Sequence, residues 1–144
     1  MTRYLLDTNI VSGVIRPSPP ASLTAWMMEQ EGESLFIASL SVAEIWRGLL
    51  QMPAGRKRDQ LQAWFSGPAG PQALFAGRVL AFDEKAGLIW ARLMADGKMN
   101  GRPRAVSDMI IAATALANGC TVVTANERDF AGIEVVNPLR SAAD

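Results

Sequence analysis

Short apolar runs alternate along this chain with longer stretches whose apolar residues recur every three to four positions, and that alternation predicts strands feeding helices. Tyr4 to Leu6 reads as a short buried strand, and Asp7-Thr8-Asn9 opens a helix running to about Arg16. Arg16-Pro17-Ser18-Pro19-Pro20 breaks that helix, because proline lacks the backbone donor and clashes with the preceding turn. Ser22 caps a second helix from about Leu23 to Glu31. Leu35 to Ala38 is a second strand, after which Ser41 caps a helix to about Gln51 with Val42, Ile45, Trp46 and Leu49 on one face. An amphipathic segment from about Arg56 to Phe65 precedes a Gly- and Pro-rich loop, Ser66 to Pro71. Val79 to Phe82 is a third strand, and Asp83 caps a helix through about Asp96. After a polar loop, Gly97 to Pro103, the segment Ser107 to Asn118 forms a helix closed by Asn118-Gly119. Thr121 to Val123 is a fourth strand and Glu134 to Val136 an edge strand.

Strands alternating with helices of this length predict an α/β fold, a parallel sheet covered by helices on both faces. No internal repeat or second domain appears, so residues 1–144 read as one domain. The layout also places the acids. Asp7 follows strand one, and Glu44 lies one turn into the helix after strand two. Asp108 begins the helix that runs back to feed strand four, and Asn126 and Asp129 follow that strand. All these positions fall on the carboxyl edge of a parallel sheet, where open α/β folds bind ligands.

Composition narrows the chemistry. The chain has no histidine and one cysteine. That excludes histidine-dependent nucleophilic triads, histidine-ligated zinc, Cys-rich metal sites and internal disulfides. Carboxylates gathered without imidazole or thiolate point to a hard divalent cation, magnesium or manganese. Cys120, beside the apolar Thr121-Val122-Val123, reads as a buried thiol in a reducing cytosol. The apolar run before Asp7 is too short for a signal peptide, and no run approaches the ~18 apolar residues of a membrane helix. A soluble cytoplasmic protein with no membrane contact is expected.

Fourteen basic residues balance fourteen acidic ones. If Asp7, Glu44, Asp108 and Asp129 belong to a metal site, ten acids face fourteen bases outside it, and eleven of those bases are arginine. Arginine forks suit phosphate, so charge permits an RNA partner without indicating one. Each acid also has a plainer explanation. Ser41-Val42-Ala43-Glu44 matches a capping box, Asp7 could cap its helix, and Asp108 could offset a helix dipole. These readings account for each acid singly but not for the shared edge, where two carboxylates ~4 Å apart repel by roughly 4 kcal/mol at an effective dielectric of 20. Trp26, Trp46, Trp64 and Trp90 sit at helical spacing among apolar residues and read as core or subunit packing.

Three stretches, LLDTNIVS, IASLSVAEIWRGL and SDMIIAATALANGCTVVTANERDF, occur in the order and spacing of PIN-domain nucleases. More narrowly, the chain resembles VapC-type toxins of type II toxin–antitoxin systems, in the FitB-like subgroup. The resemblance implies a PIN-like domain with a Mg²⁺- or Mn²⁺-dependent ribonuclease site. Asp7, Glu44 and Asp108 match the family's acidic positions; Asp7 and Asp108 would bind the metal, with Glu44 binding directly or through water. Thr8 and Asn9 match the polar residues beside the first acid, and Thr124 a supporting hydroxyl. Asn126 aligns with the family's fourth acid, and Asp129, three residues on, either substitutes for it or supports the loop. An RNA substrate, a VapB-like antitoxin that fills the cleft, and a homodimer are implied as well. One rival is a catalytically inactive PIN-fold module that binds RNA or a partner, for which Asn126 speaks. Another is a phosphatase using Asp7 as nucleophile, against which Asn9 stands where a second Asp is needed.

Overall fold

A computed structural model of the chain describes residues 1–14 and 18–140. The elements run β1 (Arg3–Leu6), α1 (Thr8–Val14), α2 (Ala21–Glu29), β2 (Leu35–Ala38), α3 (Ser39–Leu50), α4 (Arg56–Ser66), α5 (Pro71–Leu74), β3 (Val79–Leu80), α6 (Glu84–Met99), α7 (Val106–Ala117), β4 (Cys120–Val123) and β5 (Val135–Val136). Short 3₁₀ turns cover Gly32–Ser34 and Glu127–Phe130. The strands form one sheet in the order β3-β2-β1-β4-β5, and every pairing is parallel. β1 is therefore central, flanked by β2 through Leu6↔Ile37 and by β4 through Leu6↔Val123.

Alternate side chains of β1 enter two separate cores, as the two-residue period of a strand requires. Leu5 joins Met109, Ile111, Ala112, Ala115, Val122 and Phe130 on the face covered by α6 and α7. Leu6 joins Ile10, Val11, Leu23, Ile37 and Val123 on the other face, under α1 and α2. Full burial of each large aliphatic contributes about 1.5–3 kcal/mol, so a one-residue slip of β1 would forfeit both cores together. Among the described residues no helix is long and apolar enough to cross a membrane.

The α/β reading holds, with corrections at element ends. α2 starts at Ala21 rather than after Ser22, because Pro20, at φ −54°, already accepts the first helical bond from Thr24. The expected end of the first helix near Arg16 and the Arg16-Pro17 break lie outside the described residues. α3 starts at Ser39, immediately after β2, so Ser41 is inside the helix and does not cap it. The loop expected over Ser66 to Pro71 hands over to the short α5 at Pro71, whose fixed φ suits a first helical position. β3 spans only Val79–Leu80, since its partner β2 ends at Ala38. Asp83 caps α6 as expected, accepting from the Ala86 N–H at 3.0 Å. α6 runs three residues past Asp96, because Gly97 leaves room for Arg104 and the Arg102 carbonyl to close over the last turn. α7 ends at the expected stop, with Gly119 at φ +65°. The tryptophans pack on aromatic neighbours: Trp26 on Tyr4, Trp46 and Trp64 on Phe65, Trp90 on Phe82.

Candidate active site

The central strand ends at Leu6, and the next residue, Asp7, still belongs to the sheet through its N–H, which donates to the Val123 carbonyl at 2.8 Å. The carboxylate is thereby fixed at the carboxyl edge, and it is buried, at 5% exposure. Each of its oxygens has a donor. The Thr8 N–H donates to Oδ1 at 2.8 Å, and the buried Thr124 hydroxyl donates to Oδ2 at 2.8 Å. Thr124 follows β4 as Asp7 follows β1, so the parallel register puts the two side by side. The Thr124 oxygen also accepts the Asn126 N–H at 3.0 Å, tying the next loop to the acid.

Glu44 reaches the same edge from α3. Its Oε1 accepts from the Thr8 hydroxyl at 2.7 Å, and Thr8 Oγ1 lies 2.8 Å from Ser41 Oγ. Thr8 has one hydroxyl proton, so donating it to Glu44 makes Ser41 the donor in the second bond. The chain Ser41, Thr8, Glu44 replaces the capping box that the sequence suggested. Ser41 is fully buried and is a site residue that sequence reasoning assigned to the wrong task. Its spacing of three from Glu44, one helical turn, was the available signal. Arg47 lies 3.9 Å from Glu44 Oε2 but is largely exposed, so it adds little.

Asp108 is half-buried in the first turn of α7, and Asp129 is exposed on the 3₁₀ turn after β4. Burial raises the Asp7 carboxyl above the ordinary carboxylate range. Its two hydrogen bonds oppose the rise, and Glu44 and Asp129 add to it. Asp108 is pushed up to about 6, first by burial and then by Asp7, Asp129 and Glu44. Glu44 and Asp129 therefore act on both Asp7 and Asp108 at the same sheet edge. Among the described residues, no three acidic or cysteine side chains are drawn tightly enough together to form a ready-made ligand cage. Asn9 and Asn126 are exposed beside the cleft; Asn126 contributes its backbone N–H, while Asp129 shares a cavity with Asp108.

The Thr124 contact yields a direct prediction. Thr124→Val keeps the shape but leaves Asp7 Oδ2 and the Asn126 N–H without that partner, and should cost about 1–3 kcal/mol in urea unfolding. A cost below about 0.5 kcal/mol would mean that the hydroxyl does not hold Asp7 in place.

The sequence profile of the PIN domain matches residues 4–135. A VapC ribonuclease of Sinorhizobium fredii is 39% identical over 140 residues, covering 96% of this chain and 99% of the relative. The toxin FitB of Neisseria gonorrhoeae is 35% identical over 136 residues, covering 93% and 96%. The crystal structure of FitAcB from Neisseria gonorrhoeae superposes with a TM-score of 0.87 at 34% identity, covering 96% of this chain and 99% of that one. The profile spans the stretch from Asp7 to Asp129, and the chain belongs to the PIN-domain family, in the group of VapC and FitB toxins.

Proposed function

We propose that this chain is a Mg²⁺- or Mn²⁺-dependent endoribonuclease and the toxin of a VapBC-type toxin–antitoxin module. The observation that carries the reading is the convergence of Asp7, Glu44, Asp108 and Asp129 on one sheet edge, where burial first and then Glu44 and Asp129 raise both Asp7 and Asp108. Carboxylates gathered at one edge, with Asp7 and Asp108 held above the ordinary carboxylate range, mark a place built for a compensating cation.

The donor set fits magnesium. All its groups are hard oxygens, and this cation keeps several waters and takes one or two carboxylates plus substrate phosphate rather than a full protein cage. Asp7 and Asp108 would hold it, with Glu44 acting directly or through water. When bound, the cation supplies Lewis acidity toward the scissile phosphate and lowers the pKa of water. The chain's residues do the rest. Thr124 and the Thr8 N–H each hold one oxygen of Asp7 and so fix the carboxylate's orientation. The Thr8 hydroxyl, itself bonded to Ser41, holds Glu44 through Oε1. With no histidine in the sequence, the bases on offer at the cleft are carboxylates. Asp129 is the better candidate for the fourth acid, because its charge acts on both Asp7 and Asp108, while Asn126 supplies a backbone contact. That charge also weakens the case for an inactive module.

A VapB-like antitoxin is proposed as the partner, with a cationic segment entering the acidic cleft, and the toxin is proposed to be a homodimer. Expression of this chain alone should arrest growth and degrade RNA, and co-expression with the cognate antitoxin should restore growth. Sedimentation at micromolar concentration should give a dimer. Harmless expression of folded protein that leaves RNA intact in the presence of Mg²⁺ would overturn the toxin reading.

A further inference from the structure

The acidic edge is bordered on one side by the opposite charge. Asp108 and Asp129 line a cavity of about 240 Å³ together with Arg102, Arg104 and Arg128. A second cavity, of about 500 Å³, shares Arg102, Arg104 and Ala131 with the first and continues to Asn100 and Asp96. The two make one groove that leaves the acids, passes the arginines and meets negative charge again only at Asp96. Among the described residues none of the three arginines lies within 4.0 Å of a carboxylate. Three like charges thus share one groove without the ion pairs that a purely structural cluster would use.

The backbone is shaped to keep them there. The Arg102 N–H donates to the Gly97 carbonyl at 2.7 Å, closing a loop in which Gly101 stands at φ +69°. Gly97 is buried, and a Cβ there would fall 2.8 Å from both the Arg102 carbonyl and Arg104 Cγ. The Arg104 guanidinium donates to the Ala131 carbonyl, pinning the α6–α7 loop to the turn that carries Arg128 and Asp129. Arg102 and Arg128 are exposed and have their forks free for a ligand.

We infer that Arg102, Arg104 and Arg128 form a phosphate rail, which holds the backbone of single-stranded RNA on one side of the bond to be cut. This rests on the ribonuclease reading above and deepens it by assigning the strand's path. Guanidinium groups favour phosphate through forked, charge-assisted bonds. A cationic inhibitor segment would be attracted to the acids and repelled by the arginines, so the two halves of the cleft suit different ligands. The groove therefore selects a polyanion whose flanking phosphates lie on arginine while one phosphate meets the carboxylates.

The test uses Asp7→Asn protein, which should bind RNA without cutting it, and follows the anisotropy of a labelled single-stranded RNA across a salt series with Mg²⁺ present. On that background, Arg102→Gln with Arg128→Gln should raise Kd about tenfold and flatten the slope of log K against log salt by roughly 0.7 per arginine removed. Arg104 is left in place because it holds the Ala131 carbonyl. Lysine at both positions should keep most of the slope, and each single glutamine variant should show half the change, so the result does not depend on the double variant folding. Arg56→Gln with Lys57→Gln on α4 should leave Kd and slope unchanged. An unaltered slope in a folded double variant overturns the rail while leaving the nuclease reading intact. So does a slope carried by the α4 pair, or a loss confined to antitoxin binding. Absence of RNA binding by the Asp7→Asn protein, together with absence of cleavage by the parent chain, overturns both.

Discussion

Asp108→Asn should lower RNA hydrolysis by roughly 10³-fold or more and at the same time raise the thermal midpoint of the metal-free protein. The two effects have one cause. In the folded chain burial and the neighbouring acids push the Asp108 carboxyl from 3.8 up to about 6, so the native state holds a proton that the unfolded state has released. Stability then falls as pH rises through the window from about 4 to about 6, and the full penalty is present above it. A neutral amide removes the penalty. The shift would correspond to roughly 3 kcal/mol at 1.36 kcal/mol per pKa unit, but the side chain is only half-buried, and solvent screening reduces this to about 1 kcal/mol. For a chain of this size that is a rise of about 3 °C, seen at pH 7.5 and vanishing below about pH 4. Asp7→Asn should be equally inactive, with a smaller gain in midpoint. The amide keeps one accepting oxygen for the Thr8 N–H but must donate where Thr124 donated, so part of the relief is lost. The pair of readouts is checked by RNA cleavage and by calorimetry at the two pH values. Retention of more than a tenth of the activity by either variant would remove that acid from the site.

How much of this site could be read from sequence depended on whether backbone register was local or set by packing. Asp7, Asp83 and the Asn118-Gly119 stop were legible because each follows from its immediate neighbours: an apolar triplet, an N-cap, a residue that tolerates positive φ. Ser41 was not. Its capping-box spacing to Glu44 is correct, but a cap must sit in extended backbone, and β2 passes into α3 at Ala38 without an intervening turn. The serine is carried into the first helical turn, and its hydroxyl meets Thr8, a residue 33 positions away. The cavity that Asp129 shares with Asp108 was hidden for a similar reason. The family resemblance aligns Asn126 with the fourth acid, and the 3₁₀ turn at Glu127–Phe130 puts Asp129 in one cavity with Asp108. The arginines could only be counted. That three of the eleven meet at the mouth of the acidic cleft depends on Gly97, which read as the start of a loop and is the buried last-turn residue that lets Arg104 fold over α6.

Removing divalent cation with excess EDTA should bring RNA hydrolysis to background, and Mg²⁺ or Mn²⁺ should restore it. Activity alone does not distinguish a cation needed by the protein from one needed by the RNA, so a second readout without RNA decides the matter. A ligand that binds only the folded state stabilises it, by about 1.4 kcal/mol at ten times its Kd, which is about 4 °C in thermal midpoint here. The rise should be present in the parent chain and absent in Asp108→Asn. It should also depend on pH in the direction opposite to that of the metal-free protein. Near pH 5 Asp108 still holds its proton, which a cation must displace, so stabilisation is weak; above pH 7 the carboxylate is ionised and the full effect appears. Metal-free protein thus loses stability as pH rises from about 4 to about 6, while metal-bound protein recovers it above that window, and the gap between the two curves measures the cation's hold on the acids. A midpoint that Mn²⁺ leaves unmoved at pH 7.5, alongside cleavage that survives chelation, would remove the cation from the mechanism and leave the four carboxylates at the sheet edge without the charge that their arrangement requires.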